Sequence, residues 1–290
     1  MKKPIFTGHA SALITPFKNG EIDFEALERL IAFQLAGGVD AFVVNGTTGE
    51  PATMTQAEWE QVLAFAIERI GGRAPVIAGT GGNNTRDVIE KAKRAKELGA
   101  NAQLCVTPYY NKTTQQGLIA HYTAIAENTE LPIIVYNVPS RTGLNLLPAT
   151  LEKLSHLPQI VGVKEASANL IQVMDMMNLC GDSLCFYCGS DELTAPMMAL
   201  GAQGVISVLS NIAPSYMTAM THGDSKTAMA MQLRLLPLVH ALFAETSPAP
   251  VKEAAAIMGL CRSEVRLPLV NVTDETKELL KNEMQKLGLV

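Results

Sequence analysis

Eight short apolar runs, each followed by a longer amphipathic stretch, recur along this 290-residue chain. The runs cover 10–14, 41–45, 76–79, 103–107, 133–137, 161–164, 184–188 and 204–208. Most are rich in Val and Ile with little polar alternation, the pattern of strands buried on both faces in a parallel sheet. The stretches between them start and stop like helices. Residues 24–36 follow Asp23 as a cap, and 56–70 follow Thr55 with Glu58 in the third helical position, a capping box. Residues 85–98 stop at Gly99, and 115–128, 149–154 and 170–179 continue the series.

Eight β–α units without a break in composition predict an α/β fold, a closed (β/α)8 TIM barrel over residues 1–225. An open doubly wound sheet shares the alternation. The nearest approach to a dinucleotide fingerprint is Gly79-Thr80-Gly81-Gly82-Asn83-Asn84, with Asn84 where the third glycine is required. It reads better as a βα loop. Residues 226–290 are expected to form a C-terminal helical extension packed on the barrel. Its helices are expected over 228–243, 252–258 and 275–286, with a proline-containing turn at 247–250.

Composition excludes several classes. Hydrophobic residues at 48% and charged residues at 18% describe a packed chain rather than a disordered one. A net charge of −5 argues against nucleic-acid binding. No apolar signal follows the basic start, and a cytoplasmic location is expected. Residues 193–223 carry no formal charge, but Pro196, Gly201, Gly204 and Pro214 punctuate them as helix, strand and helix rather than a membrane span. Five cysteines, an odd number, fit reduced thiols. Cys185 and Cys188, three apart in a strand, point to opposite faces, so neither a disulfide nor a metal site is expected.

Reactive groups of such a barrel gather where its strands end. Lys164 ends the sixth run. Strand alternation puts Ile160, Gly162 and Lys164 on one face and Val161 and Val163 on the other. If the valines face the helices, Lys164 points into the barrel, with Gly162 leaving room beside it. Burial would then lower its pKa and supply a neutral amine for Schiff-base chemistry. The competing reading is a lysine reaching up to solvent. Tyr136 and Thr48 are hydroxyls able to relay protons. The Gly46–Gly49 turn can hold a carboxylate on its backbone N–H groups, and Arg141 can clamp a second one. Each alone has an ordinary structural explanation, but they fall together on different strand ends.

These residues carry a resemblance over essentially the whole chain. Gly46-Thr47-Thr48-Gly49-Glu50, Val106-Thr107-Pro108-Tyr109-Tyr110, Tyr136 to Gly143, and Gly162-Val163-Lys164-Glu165 resemble the 4-hydroxy-tetrahydrodipicolinate (dihydrodipicolinate) synthase family. Gly204-Val205-Ile206-Ser207 and Pro248-Ala249-Pro250-Val251-Lys252 also fit. The Gly-Thr-Thr-Gly-Glu turn and the lysine alone would indicate only the wider pyruvate-dependent aldolases, including N-acetylneuraminate lyase. The Pro-Tyr-Tyr segment and Arg141 are more specific.

The resemblance implies that Lys164 condenses with pyruvate and that the enamine attacks L-aspartate 4-semialdehyde. Tyr136 would exchange protons, with Thr48 and Tyr110 completing the relay and Tyr110 crossing from a neighbouring subunit. Thr47 and Thr48 would hold the pyruvate carboxylate, Gly189 and Ile206 would offer backbone contacts, and Arg141 would receive the semialdehyde carboxylate. No metal or organic cofactor is implied, and the assembly would be a homodimer or a homotetramer, a dimer of dimers.

A lysine-binding regulatory site would include Ala52, Gln56, Trp59, Asn83, Asp87 and Tyr109. Inhibited relatives carry histidines where Gln56 and Trp59 stand and a glutamate in place of Asp87, so weak or absent feedback is expected. The alternatives are a sister aldolase of sugar-derived 2-oxo acids, from which Arg141 discriminates, and a silent ligand-binding barrel, which would have lost one of Lys164, Tyr136, Thr48 or Tyr110.

Overall fold

The computed structural model describes residues 2–290. Eight parallel strands close into a barrel in sequence order: β1 Gly8–Ala12, β2 Ala41–Val44, β3 Val76–Gly79, β4 Ala102–Val106, β5 Ile133–Asn137, β6 Ile160–Glu165, β7 Cys185–Cys188 and β8 Gly204–Ser207, with β8 pairing back to β1. The outer helices are α1 Phe24–Ala36, α2 Gln56–Ile70, α3 Thr85–Leu98, α4 Gln115–Asn128, α5 Pro148–Ser155, α6 Leu170–Cys180, α7 Thr194–Ala199 and α8 Pro214–His222. Three more follow: α9 Ser225–Leu242, α10 Ala249–Ile257 and α11 Asp274–Lys286. The fold is a (β/α)8 TIM barrel with flanking helices. No helix among the described residues is long and apolar enough to cross a membrane.

Local chemistry sets the helix ends. Asp23 accepts from Ala26 N at 3.0 Å to start α1, and Thr55 and Glu58 form the reciprocal capping box of α2. Gly99 ends α3 in the left-handed conformation at φ 100°. Asn84 caps α3, and this is its use in the glycine-rich loop. Most element ends lie within one residue of expectation, and three elements depart further. β1 begins two residues early and stops at Ala12, although Leu13 N still donates to Val43 O at 3.0 Å and Leu13 and Ile14 are both buried. α9 starts at Ser225 on an Asp224 cap, and α10 starts at Ala249 with a proline in its first turn, where no N–H is needed.

The core has two layers. Residues such as Ala10, Val43, Ile77, Leu104, Ile134 and Ile206 fill the barrel, while a larger cluster lies between strands and helices. Phe6 stacks on Tyr187 inside the barrel with ring centroids 4.4 Å apart. The Tyr187 hydroxyl donates to Phe6 O and accepts from Ile5 N, so its burial leaves no polar group stranded. Cys185 belongs to the inner layer and Cys188 to the outer, as the strand period requires.

The β6 face pattern needs correction. Ile134 pairs with Gly162 while its neighbour Ile133 pairs with Ile160, so Val161 is an extra residue at a bulge. Ile160 therefore joins the outer core beside Val163, and Val161 packs on the inner one. Only from Gly162 onward does the expected alternation hold. It leaves Lys164 inside, beside Tyr136 across the ladder.

Candidate active site

Lys164 is 5% exposed and sits where β6 ends. Its Nζ lies 4.4 Å from the centre of the Tyr136 ring, on the adjacent strand. Burial lowers the lysine pKa to about 8, against the opposing pull of the Asp191 carboxylate and with a smaller push from Arg141. Burial also raises the Tyr136 phenol to about 12. The pair thus joins an amine close to neutrality with a phenol that keeps its proton.

The room beside the lysine comes from Gly189 rather than Gly162. A Cβ at Gly189 would meet Ala166 Cβ at 2.7 Å and Lys164 Cε at 3.1 Å. One at Gly162 would meet Cys185 O at 2.7 Å, so that glycine serves strand packing.

Below the pair, Glu165 accepts from Asn137 Nδ2 at 2.9 Å and Ser167 N at 2.6 Å, which fixes the ends of β5 and β6. Asp191, 3% exposed, accepts from Val208 N and Leu209 N at 2.9 Å each, and the Ser207 side chain also acts on it. Gln232 of α9 donates to Asp191 O and accepts from Ala195 N, so the last helices also support the site.

The turn expected to receive a carboxylate is a 3-10 helix, Thr47–Gly49, closed by Gly49 N donating to Gly46 O at 2.8 Å. Thr47 is exposed and Thr48 buried. Arg141 lies in a short helical turn, Pro139–Thr142, that follows β5. Its Nη2 donates to Ser247 O at 3.3 Å, just ahead of α10. A cavity of about 360 Å³ opens between these groups, with Thr47, Tyr136 and Arg141 in its wall. Lys164, Thr48, Gly189 and Ile206 are not in that wall. Tyr136, which is in that wall, has the lysine Nζ 4.4 Å from its ring centre.

Tyr110 is not brought to this site within one chain: it is 91% exposed, at φ 66°. The expected regulatory residues are divided. Ala52 and Tyr109 are in the cavity wall, as is Lys91. Asn83 Nδ2 donates to Tyr109 O at 3.2 Å. Gln56 is exposed and tied to Glu60, and Asp87 accepts from Asn84 at 2.8 Å. Trp59 is 2% exposed, in the outer core, with its indole N–H on Gly79 O.

Sequence reasoning gave no role to Asp191, nor to the buried pair of Glu50 and Lys252, 2.5 Å apart. Glu50 ends the Gly46–Glu50 motif, whereas Asp191 lies in no motif read from the sequence, and burial is what distinguishes both. Among the described residues no cluster of His, Cys, Asp or Glu side chains has metal-site geometry.

Comparison with known proteins gives one result throughout. The model of the dihydrodipicolinate synthetase family matches residues 5–287. A 4-hydroxy-tetrahydrodipicolinate synthase of Thermoanaerobacter sp. (strain X514) is 48% identical, with 99% of this chain and 98% of that protein covered. The crystal structure of dihydrodipicolinate synthase from Thermotoga maritima superposes with a TM-score of 0.97 at 43% identity, covering 99% of this chain and all of that one. A structure described as the first monomeric dihydrodipicolinate synthase variant also gives 0.97 at 43% identity, over 99% and 98% of the two chains.

Proposed function

Because the chain belongs to the dihydrodipicolinate synthetase family, we propose that it condenses pyruvate with L-aspartate 4-semialdehyde, the 4-hydroxy-tetrahydrodipicolinate synthase reaction of the diaminopimelate route to lysine. The observation that carries this reading is the buried Lys164 amine against the Tyr136 ring, which shares a cavity wall with two candidate anion receptors, Thr47 of the Thr47–Gly49 turn and Arg141.

The neutral Lys164 amine adds to the pyruvate keto carbon, giving a carbinolamine. Tyr136 donates the proton with which its hydroxyl leaves as water, and a protonated Schiff base remains. Loss of a methyl proton yields the enamine, whose carbon attacks the aldehyde. The amino group of the second substrate then displaces Lys164 from the imine carbon, closing the ring and freeing the lysine. One water is released over the cycle. The protein's own amine carries the chemistry, and no external cofactor enters.

Thr47 and Thr48 hold the pyruvate carboxylate, with Gly189 and Ile206 backbone groups near it. Arg141 takes the semialdehyde carboxylate, where a sugar aldehyde acceptor would offer hydroxyls instead. Thr48 and Tyr110 complete the proton relay.

Exposure of Tyr110 supports its delivery to a second copy's site, and hence a homodimer or a tetramer built from two such dimers. Exposed Ile171, Met174 and Leu179 on α6 support further self-association. Residues 1–225 form the catalytic barrel and 226–290 the extension that braces it, in a cytoplasmic enzyme. Lysine inhibits weakly or not at all, because Trp59 is committed to the core and Asp87 to Asn84.

The test is to add pyruvate and then borohydride and to map the adduct. A pyruvate-derived mass on Lys164 is expected, and its absence overturns the reading. A coupled assay with aspartate semialdehyde then checks the acceptor.

A further inference from the structure

Glu50 lies just beyond the Thr47–Gly49 turn in a left-handed conformation, φ 56° and ψ 39°, which an L side chain rarely adopts. Its backbone joins two short helical turns. Its N–H donates to Thr47 O at 3.1 Å, and its carbonyl accepts from both the N–H and the hydroxyl of Thr53. Glycine or asparagine would hold this geometry with less strain. The glutamate side chain must therefore be used elsewhere.

It is used 202 residues away. Lys252 Nζ, on α10, donates to Glu50 Oε1 at 2.5 Å, and Arg266 N donates to Oε2 at 3.1 Å. The two charged side chains are 0% and 1% exposed. Lys252 and Arg266 both lie over the Phe17 ring, with Nζ 4.1 Å and the guanidinium carbon 4.3 Å from its centre. Arg266 also donates to Thr53 O at 3.0 Å and pairs with Glu58 at the start of α2. The turn is thus bolted to the C-terminal extension, through Lys252 of α10 and Arg266 of the segment that follows it. A Cβ at Gly49 would come within 3.2 Å of Leu13 O, so the turn has little freedom to shift.

α10 also begins beside the second anion receptor, since Ser247 O accepts from Arg141. One helix of the extension therefore sets both the orientation of the Thr47–Thr48 backbone and the place of the Arg141 fork. Replacing the ion pair by apolar groups is often neutral for stability, so folding alone does not call for two dehydrated charges here.

We propose that Glu50 and Lys252 are positioning residues for pyruvate binding: their buried pair holds the Thr47–Thr48 turn in the geometry that receives the 2-oxo acid carboxylate. This rests on the pyruvate condensation proposed above. Glu50 belongs to the cavity wall, but its carboxylate is taken up by Lys252 and Arg266 N, so the pair acts through the turn.

The test uses full-length K252M and E50Q, each compared with the unaltered chain in steady-state assays, thermal melts and borohydride trapping across a pyruvate series. The KM for pyruvate is expected to rise at least fivefold in both variants, with kcat at saturating pyruvate within threefold of the parent. The concentration giving half-maximal trapping on Lys164 is expected to rise in the same ratio, while the KM for aspartate semialdehyde changes less. A pyruvate KM that rises less than fivefold, with only the melting temperature lowered, overturns the proposal. So does failure of both variants to fold, which makes the pair a folding element. If the parent chain itself traps no pyruvate on Lys164, the condensation reading fails instead, which keeps the two failures distinct.

Discussion

Lys164 Nζ and the Tyr136 ring face each other at 4.4 Å across the β5–β6 ladder, both inside the barrel. The contact pulls two ways. A ring face attracts an ammonium, while burial disfavours it, and burial wins: the lysine falls to about 8. The phenol beside it rises to about 12 by the same cause.

A pH dependence follows for the first step. Below about 8 the ammonium predominates, and the nucleophilic fraction grows tenfold per pH unit. The rate of Lys164 trapping at low pyruvate should therefore climb steeply from pH 6 to 8 and level off above that. The Tyr136 phenol stays protonated up to about 12, so no fall is expected by pH 10. Stopped quench with borohydride checks this, and a flat profile between pH 6 and 8 would contradict a titrating lysine.

The same shift has a stability counterpart. Lys164 binds its proton more weakly folded than unfolded, so the charged form costs native stability. That cost is full below about 8, fades as pH rises from there, and is gone above the unfolded value near 10.5. K164M, which fills the same space without charge, should abolish trapping and melt higher than the parent at pH 6–7, with the gain shrinking toward pH 10. Melting curves across that range decide it.

Much of this architecture was legible in the sequence, for local reasons. The limits of α1 to α4 are written by Asp23, Thr55, Gly99 and Thr114, which act within one turn of themselves. The strand ends with their hydroxyls, lysine and arginine were legible because the barrel fixes where such residues must go. What stayed hidden depends on distant partners. Nothing near Val161 signals the bulge, which is settled by pairing with Ile134. Glu50 looked like one letter of a motif until Lys252 met it from the extension. Trp59 matched a ligand position by alignment, whereas its side chain turns into the core.

Gly189 offers a local test of how tightly the lysine is held. An added methyl would lie 2.7 Å from Ala166 Cβ and 3.1 Å from Lys164 Cε. G189A should cost about 1–3 kcal/mol of stability, as overpacking does, and should lower kcat by roughly 10- to 100-fold by displacing the amine. Full activity in a folded G189A would show that the lysine tolerates movement.

Tyr110 is a poor candidate for its own chain's site at 91% exposure, and this makes a subunit-mixing experiment informative. K164M and Y110F should each be nearly inactive. Unfolded together and refolded, they should recover about a quarter of parental activity, because half of random dimers are mixed and each mixed dimer has one complete site. Activity no greater than the average of the two separate variants would place Tyr110 at its own chain's site or remove it from the relay.

End-product lysine is the last case, and the geometry argues against tight binding. An effector ammonium needs an unengaged carboxylate and acceptors facing it. Asp87 is occupied by Asn84, Gln56 by Glu60, and Trp59 lies in the core with its indole N–H on Gly79 O. The wall of the cavity that Ala52 and Tyr109 line also includes Lys91, a like charge. Activity should therefore stay within about twofold of the uninhibited rate at 1 mM lysine, an interaction weaker than about 4 kcal/mol. Restoring W59H alone should not create inhibition. It removes a buried indole and should cost about 3 kcal/mol or more in a denaturant titration. Near-complete inhibition of the parent chain by sub-millimolar lysine would mean that Asp87 or Tyr109 is rearranged in the assembled enzyme.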